Sequence, residues 1–286
     1  MNHHTPASFE NYRHRSLAIG LLAFGQTVVW ATLFYVFPAM ILQWEASHPW
    51  SKVQITGAIT LSLLLSAIAS PVVGRLIDRG AGALVLSGGA ACGALCVFLL
   101  SWVNALWQFY VLWALIGTML AACLYEPCFM LVTRAYGDSA KRSIITITLI
   151  AGFASTISFP AVHFIALHYG WQAVTKCFGV TALLLGAPAL YYGAAILEQH
   201  AVSGNRAGSR GGALRLRDHP LVIQLGLCFA LLAVVHGATL HHLLPVLKDR
   251  ELSAGHAVLV ASLIGPMQVA GRLVMTALQQ RVTHRL

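Results

Sequence analysis

Arg272 and Glu126 lie within apolar stretches, toward their cytoplasmic ends, where a charge needs a partner or a function. Arg272 follows Gln268 by four residues, so both lie on one face of a helix. An arginine fork binds a carboxylate through paired hydrogen bonds, which makes Arg272 a candidate for holding an organic anion. The alternative, which stays open, is that Arg272 only repeats Arg75 at the cytoplasmic end of a duplicated helix. Glu126 is a candidate proton carrier in another apolar stretch. Its alternative interpretation is a structural ion pair with one of three nearby basic residues, Arg75, Arg79 and Arg142.

Histidine, glutamine and tryptophan add weaker candidates. His236 lies near the middle of an apolar stretch, and the pair His241-His242 follows toward its end. A neutral histidine either carries protons or hydrogen-bonds between helices, and both interpretations stay open. Gln26, Trp30 and Phe37 fall on one face of the first apolar stretch. That face lines either a binding cavity or an ordinary packing contact.

A short charged turn separates the second and third apolar stretches. Residues 74–80 read G-R-L-I-D-R-G. Arg75, Asp78 and Arg79 are close enough to pair locally if the helix continues through them. The turn is therefore either a gate that biases the opening of the molecule or a loop fixed by its own ion pair.

The composition excludes a water-soluble fold. The chain is 58% hydrophobic and 9% charged, with a mean hydropathy of +0.73, whereas soluble domains carry roughly 25% charged residues. The net charge of +9 comes from basic residues in short loops, so we expect lipid and not nucleic acid as the partner. The six cysteines lack metal-ligand spacing and no catalytic motif occurs, so neither an enzyme nor a cofactor is expected.

Eight stretches are long enough to cross a bilayer, which predicts an all-α polytopic membrane protein. They are residues 17–42, 55–73, 83–103, 106–132, 144–167, 174–196, 221–247 and 256–278. With the N-terminus inside, 14 of the 18 basic residues lie on the cytoplasmic side. This bias predicts that both termini are cytoplasmic.

The hydrophilic segment divides the chain into unequal parts. We predict a cytoplasmic tail at 1–16, a six-helix bundle at 17–197, a linker at 198–219 and an incomplete second bundle at 220–286. The parts share sequence: Phe37-Pro38 resembles Leu244-Pro245, and Gly74-Arg75-Leu76 resembles Gly271-Arg272-Leu273. The second part therefore begins as a copy of the first and ends after two helices, which is the pattern of a transporter with duplicated bundles.

These features resemble the major facilitator superfamily. Its G-x-x-x-D-R-x-G turn between helices two and three corresponds to Gly74, Asp78, Arg79 and a glycine at 80 or 82. Tyr125-Glu126-Pro127 and Tyr169-Gly170-Trp171 resemble a bacterial branch related to monocarboxylate transporters.

The resemblance implies two six-helix bundles that alternate between inward and outward opening. It also implies a bacterial inner-membrane location and transport of a small organic anion, with a proton as candidate co-substrate. Monocarboxylate transporters carry an Asp-x-x-x-Arg pair in helix eight, and here Gln268 replaces the aspartate before Arg272. The comparison therefore favours carboxylate binding over proton coupling at this pair. The alternative is a truncated transporter, either without activity of its own or completed by another chain that supplies the missing helices.

Overall fold

The computed structural model describes residues 6–203 and 220–282, and the side chains within 14–199 and 220–278. All regular structure in these ranges is helical, as the sequence predicts. The helices are α1 (Pro6–Val29), α2 (Val36–Ser47), α3 (Lys52–Asp78), α4 (Gly82–Leu99), α5 (Leu106–Cys123), α6 (Tyr125–Tyr136), α7 (Ala140–Ala151), α8 (Ala154–Tyr169), α9 (Trp171–Thr181), α10 (Ala187–Ser203), α11 (Pro220–Asp249), α12 (Ala254–Ser262) and α13 (Ile264–Val282). Most of the predicted linker 198–219, and the first residues of the tail 1–16, lie outside the described residues.

Seven continuous helical segments of the described chain are long and apolar enough to cross a membrane, against eight predicted spans. The difference comes from one segment of 64 residues, Leu106–Tyr169. At 1.5 Å per residue it would extend about 96 Å, some three times the thickness of a hydrocarbon core. It bends back at Gly137, whose φ of +52° belongs to the left-handed region that favours glycine. The fourth and fifth predicted spans therefore lie within this segment.

The core of the first six predicted spans includes a cluster of buried aromatic rings. Trp113 is fully buried, with its ring centroid 4.7 Å from that of Phe37 and 5.9 Å from that of Trp44. Backbones also approach closely here, because Gly117 of α5 lies against the backbone of Ser62 in α3. Small residues allow this kind of contact between membrane helices.

Several irregularities interrupt the helices at mid-span, and two of them lie beside the cavity described below. Residues Trp30–Phe34 form a π-helical turn between α1 and α2. Leu124 has extended backbone angles (φ −83°, ψ −157°) and separates α5 from α6. Such interruptions are common at functional sites of membrane proteins.

The last two segments are attached much more loosely than the others. The most apolar stretch of α11 has none of its residues buried, and that of Ala254–Leu278 has 11%. Buried residues of α11 occur only toward its end, at Leu240, His241, Leu244 and Pro245. These residues face α2, so the two segments of similar sequence, around Phe37-Pro38 and Leu244-Pro245, contact each other.

Candidate functional site

A cavity of about 230 Å³ lies between two parts of the described chain. One is the six-helix part, which contains the first six predicted spans, and the other consists of the last two segments, Pro220–Asp249 and Ala254–Leu278. Its lining combines aromatic, amide and cationic side chains: Trp30, Tyr35, Tyr125, Ala151, His236, Gln268 and Arg272. Four of the five predicted substrate-binding residues are therefore brought together, from parts of the chain separated by more than 200 residues. The exception is Gln26, which lies outside the lining.

The π-helical turn presents two of the aromatic side chains. The backbone N–H of Tyr35 donates to the carbonyl of Trp30, five residues earlier, at 2.9 Å. Five residues make roughly one turn in this wider geometry, so Trp30 and Tyr35 reach the same cavity although a regular helix would direct them apart. Trp30 also packs on Tyr125, with ring centroids 4.7 Å apart.

Gln26 positions Tyr125 instead of lining the cavity. Its side chain is fully buried, and Nε2 donates to the carbonyls of Cys123 at 2.9 Å and Leu124 at 3.2 Å. These carbonyls lie at the interruption between α5 and α6, where the regular helical hydrogen bonds are lost. The interaction stabilises the break, and the break places Tyr125 at the start of α6.

Arg272 connects the last segment to the six-helix part. Its Nη1 donates a hydrogen bond to the carbonyl of Thr148 in α7, and its guanidinium lies beside the Tyr125 side chain in the cavity lining. Gln268, one turn earlier, lies beside the Tyr35 side chain in the same lining. Both members of the predicted binding pair therefore already contact aromatic hydroxyl or backbone groups of the opposite wall.

The electrostatics of the cavity favour an anion. Arg272 carries the one permanent charge in the lining, which contains no acidic side chain. A guanidinium has five N–H donors, so the hydrogen bond of Arg272 to the Thr148 carbonyl leaves donors for a ligand. Trp30, Tyr35 and Tyr125 offer apolar faces together with two hydroxyl groups. The site can therefore hold a small molecule with one negative charge and an apolar or hydroxylated body.

The three histidines of α11 have different environments. His236 lines the cavity, although its side chain is otherwise exposed. His241 is buried, and its neighbour His242 is exposed. This separation agrees with the helical geometry, since adjacent residues cannot face the same side.

Glu126 does not form the ion pair that the sequence suggests. Its side chain is exposed, and the described side chains offer it neither an ion-pair partner nor a hydrogen bond. The expected anchor to Arg75, Arg79 or Arg142 is therefore wrong. Glu126 lies instead in the first turn of α6, where the positive end of the helix dipole favours a carboxylate.

The charged turn is held by residues other than its own. Asp78 is exposed and makes no ion pair with Arg75 or Arg79, so the predicted local pairing is wrong. Arg134 of α6 donates to the carbonyls of Ile77 at 2.9 Å and Asp78 at 3.1 Å, which caps the end of α3.

The start of α4, on the other side of the turn, is capped by Glu198. Its carboxylate accepts from the backbone N–H of Gly82 at 2.6 Å and of Ala83 at 3.3 Å. A carboxylate is stabilising at a helix N-terminus. The turn at Gly74 is thus fixed through its backbone, which leaves the Arg75, Asp78 and Arg79 side chains available.

Sequence reasoning missed several of these residues. Tyr125 belongs to the Tyr125-Glu126-Pro127 motif, but its place in the cavity depends on the helix break at Leu124, which the sequence does not predict. Tyr35 depends on the π-helical turn, for which the sequence gives no signal. Arg134 lies near a predicted span end, where its charge counts only toward the topology, and Glu198 falls in the predicted linker 198–219.

The whole transmembrane region matches one protein family. Residues 19–286 match the sequence profile of the Major Facilitator Superfamily. The chain therefore belongs to the major facilitator superfamily, a family of membrane transporters, and is a multi-pass membrane protein.

A similar curated protein is the probable anion transporter 4, chloroplastic, of Arabidopsis thaliana. It is 29% identical over 121 residues, which cover 41% of this chain and 22% of that protein. The match thus spans less than a quarter of the relative's length. No solved structure matches the chain.

Proposed function

We propose that this protein moves a small organic anion of the monocarboxylate type across a bacterial inner membrane by alternating access. The observation that carries the proposal is the position of Arg272 as the one permanent charge in a lining without carboxylates. Its guanidinium binds the substrate carboxylate, and Gln268 and His236 contact the remainder of the molecule. The similarity to a probable anion transporter supports the charge of the substrate.

The charge balance favours a monoanion over a dianion. Charges interact strongly in a site with little water, so a substrate whose charge is matched binds better than one with an uncompensated charge. One arginine matches one carboxylate. The aromatic walls formed by Trp30, Tyr35 and Tyr125 suit an apolar or hydroxylated substrate body.

The cavity's place between the two parts of the chain suits alternating access. Arg272 and Gln268 belong to α13, whereas their partners Thr148, Tyr125 and Tyr35 belong to the six-helix part. A substrate carboxylate that binds the guanidinium through two parallel hydrogen bonds adds to the free donors of Arg272 and competes with the Thr148 carbonyl for Nη1. Binding therefore changes the contacts between the two walls, which is the differential interaction that a ligand-driven shift requires.

Proton coupling remains part of the proposal through Glu126. This carboxyl is one residue from Tyr125, and no basic side chain of the described chain pairs with it, so its protonation does not break an existing ion pair. The exposed Arg75, Asp78 and Arg79 side chains are our candidates for gating contacts on the cytoplasmic side.

Uptake of radiolabelled small carboxylates into proteoliposomes tests the substrate proposal. Arg272→Lys keeps the charge but loses the bidentate fork, so we expect uptake to fall by about tenfold or more, the loss of one good charged hydrogen bond. Arg142→Lys is the matched control, because Arg142 is exposed and outside the cavity. Equal uptake by the two variants at equal protein levels would contradict the proposal.

A second candidate function follows from the exposure of α11. Its central stretch has no buried residue, yet it carries Gln224, Cys228 and Thr239 among its apolar residues. Polar side chains in membrane helices normally face protein. We infer that further helices, in another chain or copy, cover this surface, and that the chain alone is a part of the working transporter. Uptake by the chain reconstituted alone, as a monomer, would contradict this second candidate.

A further inference from the structure

His241 is a buried polar side chain without a polar partner. It is 4% exposed, and neither of its ring nitrogens has a hydrogen-bond partner among the described residues. A neutral imidazole always carries one donor and one acceptor, so leaving both unpaired lowers stability. An unsatisfied buried group of this kind needs an explanation in function.

The surroundings of His241 are apolar and belong to the first segment. The imidazole centroid lies 5.4 Å from that of Phe37, with the rings perpendicular, and 5.9 Å from that of Phe34. His241 is also one of only four buried residues in α11, with Leu240, Leu244 and Pro245. These four residues, the outer contact patch, hold the end of α11 that the charge pattern predicts to be outside.

The outer contact patch lies directly beyond the cavity. His236 lines the cavity and precedes His241 by five residues, about 7.5 Å along the helix. Phe34, which contacts His241, follows the cavity residue Trp30 in the same π-helical turn, and their ring centroids are 4.7 Å apart. Separation of α11 from α2 at the patch would therefore open the cavity toward the outside.

We propose that His241 is a proton-binding residue whose protonation opens the outer contact patch. A proton on the ring creates a charge in a pocket that provides no acceptor, and burial of an unpaired charge is strongly unfavourable. Attraction of the cation to the Phe34 and Phe37 rings offsets only part of that cost. Hydration of the imidazolium is regained when α11 moves away from α2, so acid on the outer side favours the outward-open state.

Other titratable groups near the patch must be separated from His241. On the elements that pack there and on α11 itself they are Tyr35, Glu45, His236, His242, Lys248, Asp249 and His256. None of them hydrogen-bonds to the His241 ring. Asp249 forms an ion pair with Lys52 at 3.7 Å, so its protonation also weakens a contact at this end. A variant at His241 itself therefore has to be part of the test.

Thiol labelling from the outside of intact cells measures the opening directly. Leu244→Cys places a reporter in the patch, at a position that is 4% exposed, in full-length protein with the six native cysteines replaced. Arg250→Cys, at an exposed position one turn beyond the patch, is the reference, because it corrects for the pH dependence of the thiol and the reagent. We expect the ratio of the two labelling rates with a membrane-impermeant reagent to rise about tenfold between about pH 7.5 and about pH 5.

Three histidine variants test whether His241 causes the pH dependence of the labelling ratio. His241→Phe fills the pocket without a titratable group and should remove the pH dependence. His242→Phe, at the exposed neighbour, should retain it. His241→Gln provides a second neutral variant if His241→Phe does not reach the membrane.

A labelling ratio that is flat with pH in the presence of His241 would overturn the proposal, as would a rise that persists in His241→Phe or His241→Gln. A persistent rise would point to Asp249. The assay needs no substrate, so its failure leaves the anion proposal intact. Likewise, failure of the uptake assay leaves the proton-binding role of His241 to be judged on labelling alone.

Discussion

The six-helix part and the last two segments make opposite use of apolar residues. In the most apolar stretches of the first and fourth segments, 56% of residues are buried, against 0% and 11% in the last two. Hydropathy does not explain the difference, since α11 scores 2.2 and the well-packed Gly82–Trp102 segment also scores 2.2. Of these two equally apolar helices, Gly82–Trp102 is packed in the core and α11 lies at the surface.

The difference assigns a different role to each wall of the cavity. Trp30, Tyr35 and Tyr125 come from a part with a continuous core, whereas Arg272, Gln268 and His236 come from segments attached at only a few places. Those places include the outer contact patch and the hydrogen bond from Thr156 Oγ1 to the Ser262 carbonyl at 3.0 Å. One wall is therefore densely packed and the other is held by few contacts, an arrangement that suits the alternating access proposed above.

Truncation of a core tryptophan should show the contrast most strongly. Trp113→Ala removes a fully buried ring, and we expect the free energy of unfolding to fall by about 3–5 kcal/mol, from the lost burial of the ring and the cavity left behind. Phe229→Ala in α11, where the ring is 67% exposed, should change it by less than about 0.5 kcal/mol. Denaturant titration in mixed micelles measures both. Similar losses in the two variants would mean that α11 has its own packed core.

Glycine substitutions should give effects of opposite sign in the two regions. A methyl group at Gly117 would overlap the Ser62 backbone, so Gly117→Ala must separate α5 from α3 and should lower stability by about 1–3 kcal/mol. Gly226 of α11 has open space around it, so Gly226→Ala should raise stability by up to about 1 kcal/mol through helix propensity. Thermal unfolding of the two variants in one detergent compares the signs. Destabilisation by Gly226→Ala would show that another surface lies against α11.

The contrast also explains what the sequence could predict. Long apolar stretches are sufficient to predict the helical fold. Polar or charged side chains within those stretches were sufficient to select three residues that line the cavity, Arg272, Gln268 and His236. Hydropathy cannot separate α4 from α11, because lipid and protein are equally apolar. The sequence also did not predict the backbone irregularities. The π-helical turn places Tyr35 in the cavity, and Gln26 donates hydrogen bonds to the carbonyls at the break near Leu124. The ion-pair expectation for Asp78 failed because proximity along the chain does not fix side-chain geometry in exposed positions. The expectation for Glu126 failed because its side chain is exposed in the first turn of α6 and not buried against other helix ends.

Loss of the Gln26 amide should destabilise the cavity wall formed by the six-helix part and leave the wall formed by the last two segments unchanged. Gln26→Leu leaves the Cys123 and Leu124 carbonyls at the helix break without their donor, which should lower stability by about 1–3 kcal/mol. The neighbouring Thr27→Val is the control, because Thr27 bonds only to the Ala23 carbonyl of its own helix. Hydrogen exchange should show faster exchange in α5 and α6 for Gln26→Leu, with α11 unchanged. Unchanged exchange at the break would remove Gln26 from its positioning role.

The Lys52–Asp249 ion pair joins the two regions, yet it should contribute least. Its atoms lie 3.7 Å apart, and the side chains are 33% and 68% exposed. Water and salt screen such a pair, so a double-mutant cycle of Lys52→Ala and Asp249→Ala should give a coupling below about 0.5 kcal/mol that decreases further in high salt. Unfolding in low and high salt measures it. A larger, salt-resistant coupling would mean that the ion pair, and not the buried contact around His241, holds α11 to the six-helix part. The coupling energy therefore tests whether the outer contact patch is the contact that separates in the proposed opening.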